Sequence, residues 1–249
     1  MDQSVDPSRP SGPLTLAIDI GGTRLKAGLL DANGTMIGGP RRTNTPHPAT
    51  PAAVIDGLME ITHELVGFDR ISVGFPGVVR KGHVMTAPNL GTDAWRAFPL
   101  SATLTERLGK PTRMLNDAQV QGLGVISGHG LECVITLGTG MGFALFDDGH
   151  VAPHLELSHH PFRKGKDYDQ YIGAAALDDI GRKHWNRRLK RALDTITALV
   201  GFDTLYIGGG NAKHISFDLP RNVHVVPNEA GITGGVRLWD KALNRNFAA

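Results

Sequence analysis

Cysteine is nearly absent from this sequence: the 249 residues contain a single one, Cys133. One thiol can form neither an internal disulfide nor a cysteine-rich zinc site. Also missing are an apolar run approaching the ~20 residues that span a bilayer and the charged, apolar and small-residue order of a signal peptide. Together these absences predict a protein of the reducing cytoplasm that has no membrane partner.

A strong charge of either sign is missing too. Lys and Arg number 26 and Asp and Glu number 24, so the net charge is +2, which is too small for a general nucleic-acid surface.

Common nucleotide-binding motifs are also lacking. No segment matches G-x-x-x-x-G-K-[ST], and the sixth position of G-x-G-x-x-G is Phe143 in one candidate and Lys213 in the other. The sequence therefore excludes a Walker loop and a Rossmann fingerprint.

What the sequence does contain is a pair of glycine-threonine turns, Gly21-Gly22-Thr23 and Gly138-Thr139-Gly140. Each follows an apolar, strand-like run and precedes another, and the pair Asn33-Gly34 after the first turn is a strong hairpin signal. We expect each turn to lie at a hairpin tip, where main-chain N–H groups and a threonine hydroxyl can surround a phosphate. For either turn taken alone, the alternative is a tight connection that only needs positive φ.

The alternation of strands and helices along the chain predicts an α/β protein. Residues 1–13, rich in Ser, Pro, Asp and Gly, are predicted to be a disordered lead-in. Residues 14–115 are expected to form an N-terminal α/β lobe and residues 116–249 a C-terminal one, whose last helix would pack back on the first lobe. Helices are predicted at 50–66, 100–108, 118–127, 174–200 and from 230 onward, and a loop region at 150–168.

The order of several short motifs resembles the ROK family of sugar kinases and repressors. The segments DIGGT (19–23), ND (116–117), LGTGMG (137–142) and GGGN (208–211) occur in the family's order between Leu14 and Trp239. An ordered set of this kind is far more specific than any one motif. The resemblance implies a two-lobed, actin-like ATPase (ribonuclease H-like) α/β fold with a central cleft.

Within that family, residues 157–166 and 227–231 look most like polyphosphate glucokinases. The resemblance implies transfer of a terminal phosphoryl group from polyphosphate or ATP to the 6-hydroxyl of glucose or a related hexose. Many members carry a glycine at the position of Ser158 and then a zinc-binding cysteine cluster, which this chain lacks, so no structural zinc is expected. The motifs neither separate the two donors nor identify the hexose.

The same resemblance implies roles for individual residues. Asp117 would act as general base, although an acid there could instead stabilise a helix N-terminus. Asp19 would place a Mg²⁺ ion. Apart from the resemblance, Lys26 could reach the phosphates in a minor role, although a lysine on a hairpin strand is more often a solvated charge. The sugar hydroxyls would be bound by Asn89, Asn116, Asp117, Glu156 and His159. Phosphates or nucleotide would be held by Gly21, Gly22, Thr23, Gly138, Thr139, Gly140, Gly209 and Gly210.

A basic segment supports a further expectation about the donor. These cations could guide a polyphosphate chain, or they could be only the solvated face of an amphipathic helix. The residues concerned are Arg182, Lys183, Arg187, Arg188, Lys190 and Arg191, together with Arg163, Lys164 and Lys166.

Two other functions occur in the family or superfamily. A noncatalytic sugar sensor or repressor is disfavoured, because the 13 residues before the first strand leave no room for a helix-turn-helix. A polymerising actin-like protein is disfavoured by the sugar-type pair Glu156 and His159. The expected partners are therefore a hexose and a phosphoryl donor, with no nucleic acid, and exposed apolar helix faces in the second lobe indicate a homodimer.

Overall fold

The computed structural model describes residues 11–227 and 230–247, and the chain divides into two compact units. Unit 1 contains the described residues up to Asp117 and those from Ile232 onward, and unit 2 runs from Ala118 to Gly231. Most of the predicted lead-in at 1–13 lies outside the described residues, as do residues 228 and 229 of the family-like segment. Within the described ranges, no helix is both long and apolar enough to cross a bilayer.

Unit 1 is built on a five-stranded sheet. The strands of this unit are β1 (Thr15–Ile20), β2 (Arg24–Leu30), β3 (Met36–Asn44), β4 (Arg70–Phe75), β5 (Val79–Arg80), β6 (His83–Val84) and β7 (Thr112–Asn116). The sheet order is β3-β2-β1-β4-β7; β1, β2 and β3 are antiparallel, whereas β1, β4 and β7 are parallel. The predicted three-stranded meander and the predicted strand at 70–75 are confirmed.

The helices of unit 1 before residue 117 are α1 (Pro51–Thr62), α2 (Thr92–Trp95) and α3 (Leu100–Leu108). α1 begins where the Thr50 hydroxyl accepts a hydrogen bond from Ala53 N–H at 3.3 Å, the usual N-cap arrangement. It ends before the predicted limit of 66, because Leu65 N–H turns back to the Thr62 carbonyl at 2.9 Å. Gly67 then takes a φ of 80°, and a right-handed helix cannot continue through a residue with positive φ.

Unit 2 contains a second five-stranded sheet. Its strands are β8 (Leu131–Leu137), β9 (Met141–Asp147), β10 (His150–Val151), β11 (Pro161–Arg163), β12 (Lys166–Asp167), β13 (Thr204–Gly208) and β14 (Val223–Val225). The sheet order is β10-β9-β8-β13-β14, with β8 and β9 antiparallel and β8, β13 and β14 parallel. Both glycine turns therefore join the two strands of an antiparallel hairpin, as predicted.

Helices α4 (Asp117–Leu123), α5 (Tyr168–Ile172), α6 (Ala174–Val200) and α7 (Ala230–Thr233) follow, with one-turn 3₁₀ segments at Leu157–His159 and Ala212–His214. The predicted helix at 174–200 is interrupted, because Gly181 takes φ 72° and ψ 161°. The region 150–168, predicted as a loop, contains the β11–β12 hairpin. Its turn residues Lys164 and Gly165 have φ of 55° and 71°, and two positive values are what a tight type I′ hairpin turn requires.

α4 ends at Leu123 rather than at the predicted residue 127, because the next N–H groups bond three residues back: Gly124 N–H donates to the Gln121 carbonyl at 3.1 Å and Val125 N–H to the Gly122 carbonyl at 2.9 Å. A buried carboxylate then binds the N–H groups at 127 and 128. Glu132, at the start of β8, is fully buried. It accepts hydrogen bonds from Ser127 N–H at 2.7 Å, Gly128 N–H at 2.7 Å and the Tyr206 hydroxyl at 3.0 Å. Burial raises the pKa of this carboxyl, but the hydrogen bonds outweigh burial and hold the pKa below its ordinary value.

The prediction of one terminal α-helix from residue 230 onward is wrong, because the α-helix ends at Thr233. Beyond α7 the chain makes only 3₁₀ segments, at Gly234–Trp239 and Lys241–Asn246. The Gly235 carbonyl accepts a hydrogen bond from the Ser72 hydroxyl of β4 at 2.6 Å, which attaches this segment to the sheet of unit 1. Trp239 Nε1 donates to the same hydroxyl at 2.9 Å, and the Arg113 guanidinium lies over the Trp239 ring at 4.5 Å.

We expect Glu132→Gln to lower the free energy of unfolding by about 2 kcal/mol at neutral pH, because an amide NH₂ would face buried N–H donors that now have charged acceptors. Since the pKa of Glu132 is lowered in the folded protein, this loss should be largest above the ordinary carboxyl pKa and should shrink as the pH falls through the folded value. Urea unfolding at several pH values measures it, with the exposed Glu106→Gln as control. Equal stability of wild type and Glu132→Gln at neutral pH would contradict this role.

Candidate active site

The first glycine turn joins β1 to β2 and is closed by its own backbone. Gly21 N–H donates to the Arg24 carbonyl at 2.9 Å. Thr45 holds the turn from outside, with its hydroxyl donating to the Gly21 carbonyl at 2.6 Å and its N–H to the Thr23 carbonyl at 3.0 Å. The N–H groups of Gly22 and Thr23 have no acceptor among the described residues. Adjacent main-chain donors at a hairpin tip are suited to an oxyanion.

The second turn, between β8 and β9, repeats this arrangement. Gly138 N–H donates to the Gly140 carbonyl at 3.0 Å. Ala174 N–H, at the start of α6, donates to the carbonyls of Gly138 and Thr139, both at 3.1 Å. Within the part of the chain that the structure describes, the N–H groups of Thr139 and Gly140 have no acceptor. Each turn thus uses its first glycine N–H internally and leaves the next two N–H groups open.

Two predicted site residues of unit 1 lie beside the first turn. A Cβ added to Gly22 would lie 3.0 Å from the Asn89 Cβ, so glycine is what permits the exposed Asn89 to approach so closely. The Asp19 carboxylate, near the end of β1, accepts a hydrogen bond from the Lys26 ammonium at 2.9 Å. Lys26 is therefore paired with Asp19 in this structure.

Asn116 ends β7 and Asp117 begins α4. The Asn116 side chain is buried, and its Nδ2 donates to the carbonyls of Phe75 at 3.3 Å and Gly77 at 3.2 Å. This amide therefore fixes the end of β7 against the chain that follows β4. Asp117 is half-buried and occupies the first turn of a helix, where the exposed N–H groups favour a carboxylate. The position of Asp117 is thus compatible with a helix-stabilising role as well as with a catalytic one.

In unit 2, neighbouring side chains contact both carboxylate oxygens of Glu156. The Ser158 hydroxyl donates to Oε1, and His154 Nε2 lies 3.3 Å from Oε2. Burial raises the pKa of Glu156, but these hydrogen bonds and the nearby charges of His154 and His159 outweigh burial, so the pKa lies below its ordinary value. Glu156 is therefore an ionised acceptor at neutral pH, which is what binding a sugar hydroxyl requires.

His154 is a candidate residue that the sequence analysis missed. Its side chain is only 6% exposed, and its Nδ1 is buried without a hydrogen-bond partner among the described residues. A buried nitrogen without a partner is costly, and a bound polar group would relieve that cost. The predicted His159 is exposed, and its Nδ1 lies 3.8 Å from an Asp167 carboxylate oxygen. A lone histidine such as His154 carries no sequence signal that would have selected it.

Asp169, in α5, is a second candidate that the sequence analysis missed. Its Oδ1 accepts a hydrogen bond from Met141 N–H at 2.6 Å, and a Cβ added to Gly140 would lie within 2.5 Å of its carboxylate oxygens. Burial raises the pKa of Asp169, Asp167 and Glu156 act in the same direction, and the Met141 hydrogen bond and His159 oppose them only in part. A half-buried carboxylate with a raised pKa therefore lies against the second turn.

The glycine-rich turn after β13 packs on the same hairpin. Gly209 has a φ of 87°, and a Cβ there would lie 2.3 Å from the Leu137 carbonyl oxygen. Asn211 Nδ2 donates to the Gly138 carbonyl at 3.0 Å. Gly210 is exposed and has open space around it. Within unit 2 the structure thus joins the predicted nucleotide-binding glycines to the predicted phosphate turn.

The described residues contain no group of three or more His, Cys, Asp or Glu side chains that could hold a metal ion. Magnesium does not need such a group, because it keeps several waters and binds through one or two carboxylates together with substrate phosphates. Asp19, close to the open N–H groups of the first turn, has donor chemistry that fits this mode of binding.

We expect Ser158→Gly to raise the pKa of Glu156, because the variant loses the hydroxyl that donates to the Glu156 carboxylate. An NMR titration that follows the side-chain carboxyl carbon of Glu156 measures the shift. The exposed Ser216→Gly, in the same unit, is the matched control. An unchanged titration midpoint in Ser158→Gly would show that this hydroxyl does not govern the ionisation of Glu156.

Comparison with known proteins agrees with these features. Residues 15–153 match the ROK family. A polyphosphate glucokinase of Mycobacterium tuberculosis (strain CDC 1551 / Oshkosh) is 30% identical over 234 residues, which cover 87% of this chain and 88% of the relative. The crystal structure of an inorganic polyphosphate/ATP-glucomannokinase from Arthrobacter sp. strain KM gives a TM-score of 0.81 at 32% identity and covers 91% of this chain and 98% of that one.

The fold also extends to regulators. A ROK family transcriptional regulator, a homolog of the E. coli MLC protein, gives a TM-score of 0.68 at 16% identity and covers 94% of this chain and 79% of its own. The predicted fold class is confirmed: this is the α/β, actin-like ATPase fold. On the match over 15–153 and the identity to its relatives, the chain belongs to the ROK family.

Proposed function

We propose that this protein is a sugar kinase that transfers a terminal phosphoryl group from polyphosphate or ATP to the 6-hydroxyl of glucose or a related hexose. The observation that carries the proposal is the pair of hairpin turns, each with two adjacent N–H groups that have no acceptor among the described residues. Such donors stabilise the charge on a transferring phosphoryl group. The similarity to a polyphosphate glucokinase and to a polyphosphate/ATP-glucomannokinase, at 30% and 32% identity, supports the same class of reaction.

In the proposed reaction Asp117 is the general base. The 6-hydroxyl oxygen bonds to the terminal phosphorus as the bond from that phosphorus to its bridging oxygen breaks. The hydroxyl proton passes to the Asp117 carboxylate, and the leaving group is ADP or a polyphosphate shortened by one unit. The remaining sugar hydroxyls are bound by Asn89, Asn116, Glu156 and His159. The low pKa of Glu156 supports its place as an acceptor.

The phosphates are bound chiefly by the open N–H groups of Gly22, Thr23, Thr139 and Gly140. Gly21 and Gly138, whose N–H groups close their own turns, act by shaping the loops. Asp19 would hold a Mg²⁺ ion that neutralises phosphate charge when bound. With ATP as donor, Gly209 and Gly210 would lie along the nucleotide. The homodimer and the cytoplasmic location stay predictions.

We expect Asp117→Asn to lower kcat by about 10² to 10⁴-fold with little change in hexose KM, because the amide cannot accept the hydroxyl proton. A coupled assay of hexose phosphate formation measures kcat, and calorimetric binding of the hexose shows that the site survives. Asp93→Asn, at a fully exposed position of unit 1, is the control. If Asp117 only stabilises the start of α4, the variant will lose stability while its kcat stays near the wild-type value.

A substrate panel tests the reaction class. Glucose, mannose and glucosamine are each incubated with ATP and with long-chain polyphosphate, and hexose 6-phosphate is measured. We expect transfer from at least one donor to glucose or a close hexose. Hexose binding without transfer from either donor would instead support a noncatalytic sugar sensor.

A further inference from the structure

A basic groove lies on the surface of unit 2. It has a volume of about 390 Å³, and its basic lining residues are Lys164, His184, Arg187, Arg188 and Arg191. Lys164 comes from the tip of the β11–β12 hairpin, and the others come from α6. No carboxylate is among the described residues that line the groove. The net charge of the whole chain is only +2, so this positive charge is concentrated locally.

Tyr171, in α5, holds two of the arginines in place. The Arg188 guanidinium lies 4.8 Å from the centre of the Tyr171 ring, and its Nη1 donates to the Tyr171 carbonyl at 3.3 Å. Arg191 Nη1 donates to the Tyr171 hydroxyl at 3.3 Å. The Phe162 ring of β11 lies 5.1 Å from the same tyrosine ring, which ties the hairpin carrying Lys164 to this place. Contacts within the protein therefore hold these arginine side chains in place, unlike side chains that are only solvated.

The other basic residues of the segment are engaged elsewhere or lie outside the groove. Lys190 pairs with Asp194 at 3.0 Å, and Arg182 donates to the carbonyls of Lys213 and His214 at 3.2 and 3.3 Å. Lys164 and Arg187, by contrast, have no ion-pair partner among the described residues. The cations that face the groove are thus the ones available to an external anion.

We infer that the basic groove binds the distal phosphates of a polyphosphate donor, an inference that rests on the proposed kinase function. Guanidinium groups match phosphate oxygens in geometry, and several together suit a chain of closely spaced anions. Nucleic acid is disfavoured because single strands need exposed aromatic faces for stacking, whereas Tyr171 is buried and covered by Arg188.

The groove is also connected to the phosphate turn within the same unit. α5 carries Tyr171 toward the groove and Asp169 against the Gly138–Gly140 turn. The first residue of α6 donates to the carbonyls of that turn, and the groove arginines lie in the part of α6 that follows its interruption at Gly181. A donor whose reacting end is held at the turn would therefore have its remaining phosphates bound by the elements that support the turn.

The test compares two charge-matched double variants of the full chain. Lys164→Gln/Arg187→Gln removes two groove cations, and Lys183→Gln/Lys190→Gln removes two cations of α6 outside the groove. We expect the Kd and the KM for long-chain polyphosphate to rise about tenfold in the groove variant, while kcat and the KM values for ATP and hexose stay unchanged. The control variant should stay within about twofold of wild type. The difference in Kd between the groove variant and wild type should become smaller at higher salt, and also when the short tripolyphosphate replaces the long chain.

Direct binding of polyphosphate needs no hexose, so the two proposals can fail separately. If wild type transfers phosphate but the groove variant binds long-chain polyphosphate as wild type does, the groove inference is overturned and the kinase stands. If the wild type transfers phosphate from no donor, but binds polyphosphate and the groove variant does not, the kinase proposal fails and the groove assignment stands. Equal losses in both double variants, or binding of single-stranded RNA or anionic vesicles that polyphosphate does not displace, would overturn the groove inference.

Discussion

The structure of each unit depends on one backbone constraint, the closure of an antiparallel hairpin through a glycine turn. The first glycine N–H of each turn bonds to a carbonyl of the same turn, at 2.9 Å from Gly21 and 3.0 Å from Gly138. This closure leaves the next two N–H groups without an acceptor in the described chain. Glycine permits close neighbours at both turns, because a Cβ at Gly22 would lie 3.0 Å from the Asn89 Cβ and a Cβ at Gly140 would lie within 2.5 Å of the Asp169 carboxylate oxygens.

The carboxylates near the predicted site of unit 2 differ in their ionisation. Hydrogen bonds and histidine charges hold the pKa of Glu156 down, whereas burial raises the pKa of Asp169. Neighbouring acids whose environments move their pKa values apart are suited to different tasks. Glu156 has the character of a permanent acceptor for a sugar hydroxyl. Asp169 is better placed to order the second turn, since it bonds to Met141 N–H.

Local signals made much of the fold predictable. The Asn33-Gly34 pair and the flanking apolar runs predict the β2–β3 hairpin, and the strand 70–75 has the predicted bounds. Contacts between distant residues were not predictable. The Glu132 carboxylate holds the chain that follows α4, and the irregular C-terminal segment accepts a hydrogen bond from Ser72 across 163 residues. Asp169 escaped notice because an acid in the first turn of a helix is ordinary.

The most direct test of the central claim is to follow main-chain amide chemical shifts as long-chain polyphosphate or a nonhydrolysable ATP analogue is added. The open amides of Gly22, Thr23, Thr139 and Gly140 should show the largest changes. The amides of Gly21 and Gly138, which already have acceptors, should change less. Binding of either donor with no change at these four open amides would contradict the claim that the two turns hold the phosphates.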